Sequence, residues 1–319
     1  MVYTPKVSII VLNYNGGKYL KECLDSVLRT DYHNIEVIVV DNASDDGSPE
    51  FVKKHYPQVI LIENEKNLGF CEGNNIGIRK ATGEIIILLN NDTIVDSKWI
   101  KEILKKAEDP KVGIVGCRLY FPGSKIIQSL GFRMRFLGYW ESIGAGQIDN
   151  GQFDEIRDVD FVSGAALAIK REVIKKIGLF DSEFYAYNED KDLCYRARKA
   201  GYRVITSNAV VYHYGSMSWD RFQIKKIYLN NRNLLRFVIK HYSPKALLRF
   251  TFEYPIKSLK LDLIKFLLSE TVSQRVTVQN HQTKKIFIQI RNKIFSIILF
   301  FVALLSAIMP FKNQNMISK

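Results

Sequence analysis

An α/β fold with a mostly parallel sheet is what the first 220 residues predict, and three observations lead to it. Ile85-Ile86-Ile87-Leu88-Leu89 is an aliphatic run without alternation, the pattern of a central strand covered on both faces. Apolar strand-like runs alternate with segments of helical spacing four times, as in βαβ units. Each run is followed by a polar stretch, placed where open α/β sheets bind ligands, beyond the carboxyl ends of the strands.

Lys6 to Asn13 predicts a strand and Lys18 to Leu28 a helix, with Leu20, Cys23, Leu24, Val27 and Leu28 at helical spacing. Ile35 to Val40 is a second strand, left by Asp41-Asn42-Ala43-Ser44-Asp45-Asp46-Gly47-Ser48, and Val59 to Ile62 a third. Asn67-Leu68-Gly69-Phe70 leads into a helix from about Glu72, stopped by Ala81-Thr82-Gly83. The run at 85–89 is the fourth strand, closed by Asn90-Asn91-Asp92-Thr93. Right-handed crossovers put the four exits on one edge, so Asn13, Asp41, the Asn67 loop and Asp92 share a rim. Asp92 there reads either as turn chemistry or as a carboxylate placed to hold a divalent metal. No Gly-x-Gly-x-x-Gly and no Gly-Lys-Ser/Thr loop follows the first strand, so the dinucleotide and P-loop signatures are absent.

Ser97 to Ala107 has helical spacing and Val112 to Phe121 is strand-like. Pro122 to Asp158 is Gly-rich, aromatic and aperiodic, which suggests loops and a hairpin over the site. Phe161 to Ile169 resumes the sheet, and Gly164 within it marks either a bulge or a point of close substrate approach. The stretch from Glu189 to Gly201 is a helix with acids first, bases last and a terminal glycine, so Glu189, Asp190 and Asp192 complement its dipole. Phe184, Tyr185 and Tyr187 have no such role and suit a wall on which a sugar ring stacks. Arg203 to Thr206 and Ala209 to His213 are short closing strands, and His213 is either a core or surface histidine or a ligand.

At 319 residues, one large domain with an appendage is expected. Cys23, Cys71, Cys117 and Cys194 are widely spaced, which fits reduced structural thiols and implies no disulfide framework. The N-terminal residues lack a basic segment and a small-residue cleavage site, so no signal peptide is expected. Charge divides the chain. From Arg221 onward there are 18 Lys and Arg against three acids, Glu253, Asp262 and Glu270, whereas residues 1–220 hold 28 bases and 30 acids. A basic tail of this kind contacts nucleic acid or an anionic membrane.

Several motifs fall in a familiar order: Val7-Ser8-Ile9-Ile10-Val11-Leu12-Asn13-Tyr14-Asn15, Val39-Val40-Asp41-Asn42-Ala43-Ser44-Asp45-Asp46-Gly47-Ser48, Asn67-Leu68-Gly69-Phe70 with Gly73-Asn74-Asn75, Leu89-Asn90-Asn91-Asp92-Thr93, and Glu189-Asp190-Lys191-Asp192 with Val211-Tyr212-His213. On these residues the first 215 or so positions resemble a family-2 glycosyltransferase of the GT-A fold, Rossmann-like with a mostly parallel sheet and flanking helices, in the rhamnosyltransferase-like branch of bacterial surface-polysaccharide synthesis. The resemblance implies that Asp41 contacts the nucleobase, that Asn13, Asn15 and Asn67 shape the nucleoside pocket with Asn90 and Asn91 on the donor side, and that Asp190 is the catalytic base. Asp92 matches the second acid of the family's Asp-x-Asp motif, with Asn90 where the first acid often stands, and His213 matches a position that completes the metal shell in some relatives. An oxygen-rich site with one imidazole suits Mn²⁺ or Mg²⁺. Gly164, Tyr185, Tyr187 and Glu189 are the candidates for acceptor binding. The Gln-x-x-Arg-Trp motif of processive members is absent, which favours single-sugar addition.

The expected organisation is a catalytic domain at 1–220, a basic amphipathic helical region at 221–270 and a linker with hydrophobic anchor at 271–319. Ile294 to Met309 is 16 residues without a charge, about 24 Å as a helix against a hydrocarbon core of about 30 Å, which favours a membrane-embedded or re-entrant anchor. The leading reading is an inverting, metal-dependent glycosyltransferase at the cytoplasmic face of the membrane. It would take a dTDP- or UDP-linked sugar, rhamnose among the candidates, to a lipid-linked or polysaccharide acceptor, with an anionic membrane surface and no nucleic acid as partner. A sugar nucleotidyltransferase would want a Gly-rich basic loop after the first strand, where Asn13 to Lys18 offers one lysine. A non-catalytic protein acting through its basic tail on membrane or nucleic acid is the remaining alternative.

Overall fold

The computed structural model of the chain describes residues 4–154, 158–215 and 223–257. The expected linker and anchor at 271–319, the end of the basic region from 258 and the boundary at 220 lie outside the described residues.

The first unit, 4–133 with 140–215, begins as the sequence predicts. Strand β1 (Val7–Asn13), helix α1 (Gly17–Leu28), β2 (Ile35–Asp41), α2 (Ser48–His55), β3 (Ile60–Glu63), α3 (Gly69–Lys80) and β4 (Ile85–Asn90) follow one another. β1, β2, β3 and β4 form a parallel half-sheet in the order β3-β2-β1-β4. Its register sets Asn13 opposite Asp41, Asp41 opposite Glu63 and Leu12 opposite Asn90, so the polar exits stand in one row. Ile86, Ile87 and Leu88 are wholly buried although alternate residues face opposite sides, the burial expected of a strand covered twice. The periodicity missed α2, whose start is signalled by Pro49 in its first turn and Glu50 beside it.

Beyond β4 the sheet is mixed. β5 (Thr93–Val95), α4 (Trp99–Ala107), β6 (Val112–Tyr120), β7 (Ile127–Ser129), β10 (Ala166–Lys170), α5 (Arg171–Ile177), α6 (Glu189–Lys199) and β11 (Arg203–His213) complete the unit's elements, and the ribbon strands β8 (Phe132–Phe136) and β9 (Tyr139–Ser142) run partly through 134–139. The order continues β4-β10-β6-β11-β5, with β10 antiparallel to both neighbours. The reason is topological: the chain enters β10 from the rim side after the 121–165 excursion, so it must run downward between two strands that run up. The expected strand from Phe161 is shorter, because 161–165 turns at the rim through Ser163, whose side chain and carbonyl accept from Ala165 and Ala166 N–H. The two short strands expected at 203–213 are one strand with an irregular register between Thr206 and Val210, where Ser207 and Asn208 turn to Gly116 and Arg118.

A second unit joins residues 134–139, helix α7 (Gln223–His241) and a helix described over 244–257. Leu234, Leu235, Phe237, Val238 and Phe250 form its interior, and a Cβ on Gly138 would lie 2.2 Å from the Phe250 ring, so only glycine fits there. Among the described residues no helix is long and apolar enough to cross a membrane.

Candidate active site

The rim of the parallel half-sheet is braced by one asparagine. Asn13 is wholly buried; its amide donates to Asp41 Oδ2 (2.7 Å) and Ser48 Oγ (2.8 Å) and accepts from Asn91 Nδ2 (2.7 Å). Asp41, only 1 % exposed, also receives the Ser44 N–H at Oδ1 and the Ser44 hydroxyl at Oδ2. These donors leave its carboxylate one of about four acceptor directions. Asn15, left-handed at φ 48°, binds Ser44 Oγ through its N–H and receives the Asp45 N–H. Asn67 Oδ1 receives the Gly69 N–H at 2.9 Å and the Tyr185 hydroxyl at 3.4 Å. Asn13, Asn15, Asp41 and Asn91 therefore share one network, and Asn67 joins it through Asn42, whose side chain reaches Asn67 Oδ1 at 3.4 Å and whose N–H binds Asn13 carbonyl; Asn13 and Asp41 lie beneath its surface, and Asn15 is exposed.

A second corner forms where β4 exits. Pairing of β5 with β11 sets His213 opposite Thr93, and Tyr214 N–H binds Asp92 carbonyl, which brings Asp92 and His213 together. His213 Nε2 stands 3.3 Å from Asp92 Oδ1 and 3.5 Å from Asn90 Nδ2. Both side chains are about one-sixth exposed, so the pair is rigid yet reachable. A carboxylate oxygen and an imidazole nitrogen at this spacing can share a cation, with Asn90 adding a neutral amide instead of a second acid. Among the described residues no three His, Cys, Asp or Glu side chains cluster as a metal cage, so any ion here would need further oxygens from its ligand. Cys23 supports the turn from below, its thiol 3.6 Å from Asn90 carbonyl and pushed up to about 12 by burial.

The third corner is the start of α6. Tyr185 (φ 61°, ψ −62°) is the centre of a γ-turn closed by Ala186 N–H to Phe184 carbonyl, and Tyr187 and Asn188 also have positive φ. Such conformations cost non-glycine residues about 1–3 kcal/mol each and persist where the surroundings impose them. They deliver Glu189 and Asp190 to the rim. Asp190 Oδ2 receives the Gly164 N–H at 3.2 Å and Oδ1 the Lys191 N–H at 2.8 Å. Burial raises the Asp190 carboxyl above its usual range, while the Lys191 charge and these N–H groups oppose the rise. Glu189 is 6 % exposed with Oε2 unpartnered, and burial with the Asp190 charge pushes it up to about 8. Lys191, 4.3 Å from the Trp140 ring centre, is lowered by burial to about 8. Asp192 is different: it pairs with Arg196, which ties α6 to the carbonyls of Ile177 and Leu179.

Two sequence expectations change in detail. Phe184 is wholly buried and belongs to no sugar-stacking wall, while Tyr185 and Tyr187 are half-buried. Tyr185 covers Gly69, whose Cβ would lie 2.5 Å from its ring, so it joins the 185–190 loop to α3. Gly164 does not leave its backbone open to a substrate: its N–H is spent on Asp190, and a Cβ there would meet Phe70 at 3.1 Å. Ser44, Ser48, Ala165, Lys191 and Gln128 were missed, because their partners lie far along the chain or their types carry no signal. Only the Ser residues follow a strand exit that could have flagged them.

A model of the family described as "Glycosyl transferase family 2" matches residues 8–178, more than half of the chain. The chain belongs to glycosyl transferase family 2. This family-2 chain is 31 % identical over 227 residues to the O-antigen biosynthesis protein RfbC of Myxococcus xanthus, a match covering 67 % of the chain and 18 % of RfbC. It spans under two thirds of the length of the leading curated relatives. In fold it is similar to the mannosyltransferase PcManGT of Pyrobaculum calidifontis, solved with GDP-Man and Mn²⁺ (TM-score 0.61, 19 % identity, 96 % of this chain and 88 % of that one). GalNAc-T7, solved with UDP, GalNAc and Mn²⁺, is also similar (TM-score 0.59, 18 % identity, 75 % and 48 %). These likenesses make the family-2 unit an α/β fold of the GT-A type.

The Glu189 carboxyl yields a pH prediction. Its folded pKa lies above 4.5, so between pH 4.5 and about 8 the unfolded chain sheds a proton the folded chain keeps, and stability falls as pH rises. Glu189→Gln removes this loss. The variant is expected to melt above wild type at pH 8, with the gap closing toward pH 5, as read by thermal unfolding across that range; a gap independent of pH would remove the buried carboxyl as its cause.

Proposed function

We propose that the chain is an inverting, non-processive glycosyltransferase that moves a sugar from a nucleotide diphosphate donor to a surface-glycan acceptor. One observation carries the reading: the half-buried carboxylate of Asp190 and the partly exposed Asp92–His213 pair are tied to the same dipeptide, Gly164-Ala165, through Asp190 and Asn90. Single displacement requires a base for the acceptor on one side of the sugar and a seat for the diphosphate on the other.

The steps follow from these residues. Asp190, with a raised pKa and two backbone N–H donors, takes the proton of an acceptor hydroxyl as that oxygen bonds to the anomeric carbon. The bond from that carbon to the diphosphate breaks, the diphosphate leaves with the electron pair, and the configuration inverts. Asp92 and His213 would hold Mn²⁺ or Mg²⁺ together with diphosphate oxygens. When bound, such an ion neutralises the charge of the departing diphosphate. The Asn15, Asp41 and Asn67 network is the seat for the nucleoside. Donors carrying dTDP or UDP, rhamnose included, are the first to try; the complexes of PcManGT with GDP-Man and of GalNAc-T7 with UDP support the donor class, and the name of RfbC supports a surface-glycan product.

Asp190→Asn keeps shape but accepts no proton, so transfer is expected to fall roughly 10²- to 10⁴-fold with donor affinity retained. Asp92→Asn and His213→Ala are expected to weaken metal-dependent donor binding as well as rate. Calorimetric donor titration beside a transfer assay, at one metal concentration, separates the two; normal transfer by Asp190→Asn would move the base elsewhere in the cluster.

The chain's site at the cytoplasmic membrane face belongs to the same proposal. On the helix over 244–257, Leu248, Phe252 and Ile256 lie four residues apart and are 62–69 % exposed, near Lys245, Arg249 and Lys257. An apolar stripe bordered by bases suits an anionic lipid surface. Leu248→Ser with Phe252→Ser is expected to lower co-sedimentation with phosphatidylserine vesicles at least several-fold and leave melting unchanged; equal sedimentation would remove this helix from the contact.

A further inference from the structure

We infer that Gln128 is a positioning residue that fixes the tautomer of His213 and so aims its Nε2 lone pair at Asp92, an inference that rests on the metal reading above. The geometry leaves one solution. Gln128 Nε2 donates to the His213 backbone carbonyl, which has no hydrogen to give, so the amide NH₂ must face that carbonyl. The amide oxygen then faces His213 Nδ1 at 2.9 Å. An amide oxygen cannot donate either, so Nδ1 must carry the proton. In the neutral ring Nε2 is therefore bare, and it looks at Asp92 Oδ1 at 3.3 Å and at the Asn90 amide at 3.5 Å. Two electron-rich atoms in opposition repel, and a cation or proton between them relieves the repulsion. A ligating histidine is commonly oriented in this way by a partner on its other nitrogen.

The clamp is itself held on three sides. Gln128 lies in β7, whose neighbours pair with Leu119 and Tyr120 of β6, while Ile127 bonds Gln147 and Gly146 of the following turn. Its carbonyl receives the Ser142 hydroxyl at 3.1 Å. Gly215, at φ +64°, runs so close that a Cβ there would lie 3.5 Å from the Gln128 amide and 3.8 Å from His213 Nδ1. The residue that sets the ring thus comes from the aperiodic excursion, 85 positions away in sequence.

The test reads the proton directly. Full-length protein labelled with ¹⁵N-histidine, kept metal-free at pH 8, is expected to show His213 protonated at Nδ1 in long-range ¹H–¹⁵N correlation spectra. Gln128→Met removes both hydrogen bonds at nearly constant length; it is expected to move the proton toward Nε2 and to weaken Mn²⁺ binding in the presence of UDP by about 10- to 100-fold. Gln128→Glu loses the donor to the His213 carbonyl but still offers an acceptor to Nδ1, and is expected to keep the wild-type signature, which separates positioning from folding. A wild-type ring protonated at Nε2, or Gln128→Met with unchanged signature and Mn²⁺ affinity, overturns the inference. A wild-type Nδ1 proton with no Mn²⁺ affinity, with or without UDP, supports the tautomer assignment and overturns the metal reading beneath it.

Discussion

The dipeptide Gly164-Ala165 is the constraint on which the rest of the site depends. Its two residues hold groups from separate stretches of the chain: Gly164 N–H fixes the Asp190 carboxylate, and Ala165 carbonyl receives the Asn90 N–H at the end of β4. Asn90 leads directly into Asp92, and Asp92 is pinned by β11 to His213. The antiparallel insertion of β10 makes this possible, because the residues that lead into a strand starting at the rim place the Gly164 N–H and the Ala165 C=O there. A parallel strand in the same place would have brought its end, not its beginning, to the site.

The chemistry draws on strain and on unequal solvation. Positive φ at Tyr185, Tyr187 and Asn188 before α6 delivers two adjacent carboxyls to a helix N-terminus, where the dipole favours their charged forms and burial opposes them. The two are not equivalent. Asp190 has two N–H donors to stabilise its anion, whereas the Glu189 Oε2 is buried without a partner. Neighbouring carboxyls whose surroundings differ in this way divide into one that works as an anion and one that keeps its proton. Asp192, paired with Arg196, is the structural member of the acidic trio, although the sequence presents all three alike.

The half-sheet was legible because its signals are local: Ile85 to Leu89 is apolar on both faces, and Asn13, Asp41 and Asn90 punctuate their strands. The motifs from Val7–Asn15 to Val211–His213 carry the family resemblance in the same local way. What the sequence concealed depends on long-range contacts. Gln128 sits in a segment with no periodicity, and nothing in a lone glutamine announces a histidine 85 residues away. Gly164 suggested open space because glycine lacks a side chain, yet its use is a backbone N–H. Phe184 looked like one of three stacking aromatics, but a γ-turn at Tyr185 turns neighbouring rings to opposite fates, one into the core and one over Gly69.

The central claim is that the Asp92–His213 pair and the Asp190 carboxylate belong to one site joined through Gly164-Ala165. Paramagnetic broadening by Mn²⁺, recorded on the full chain with UDP, dTDP or GDP present, tests it without knowledge of the sugar. With at least one of these nucleotides, the account predicts that the His213 ring and the Gly164 amide both broaden at substoichiometric Mn²⁺, and that Asp92→Asn abolishes the effect on both. Broadening centred elsewhere, or of the His213 ring with the Gly164 amide untouched, would contradict it.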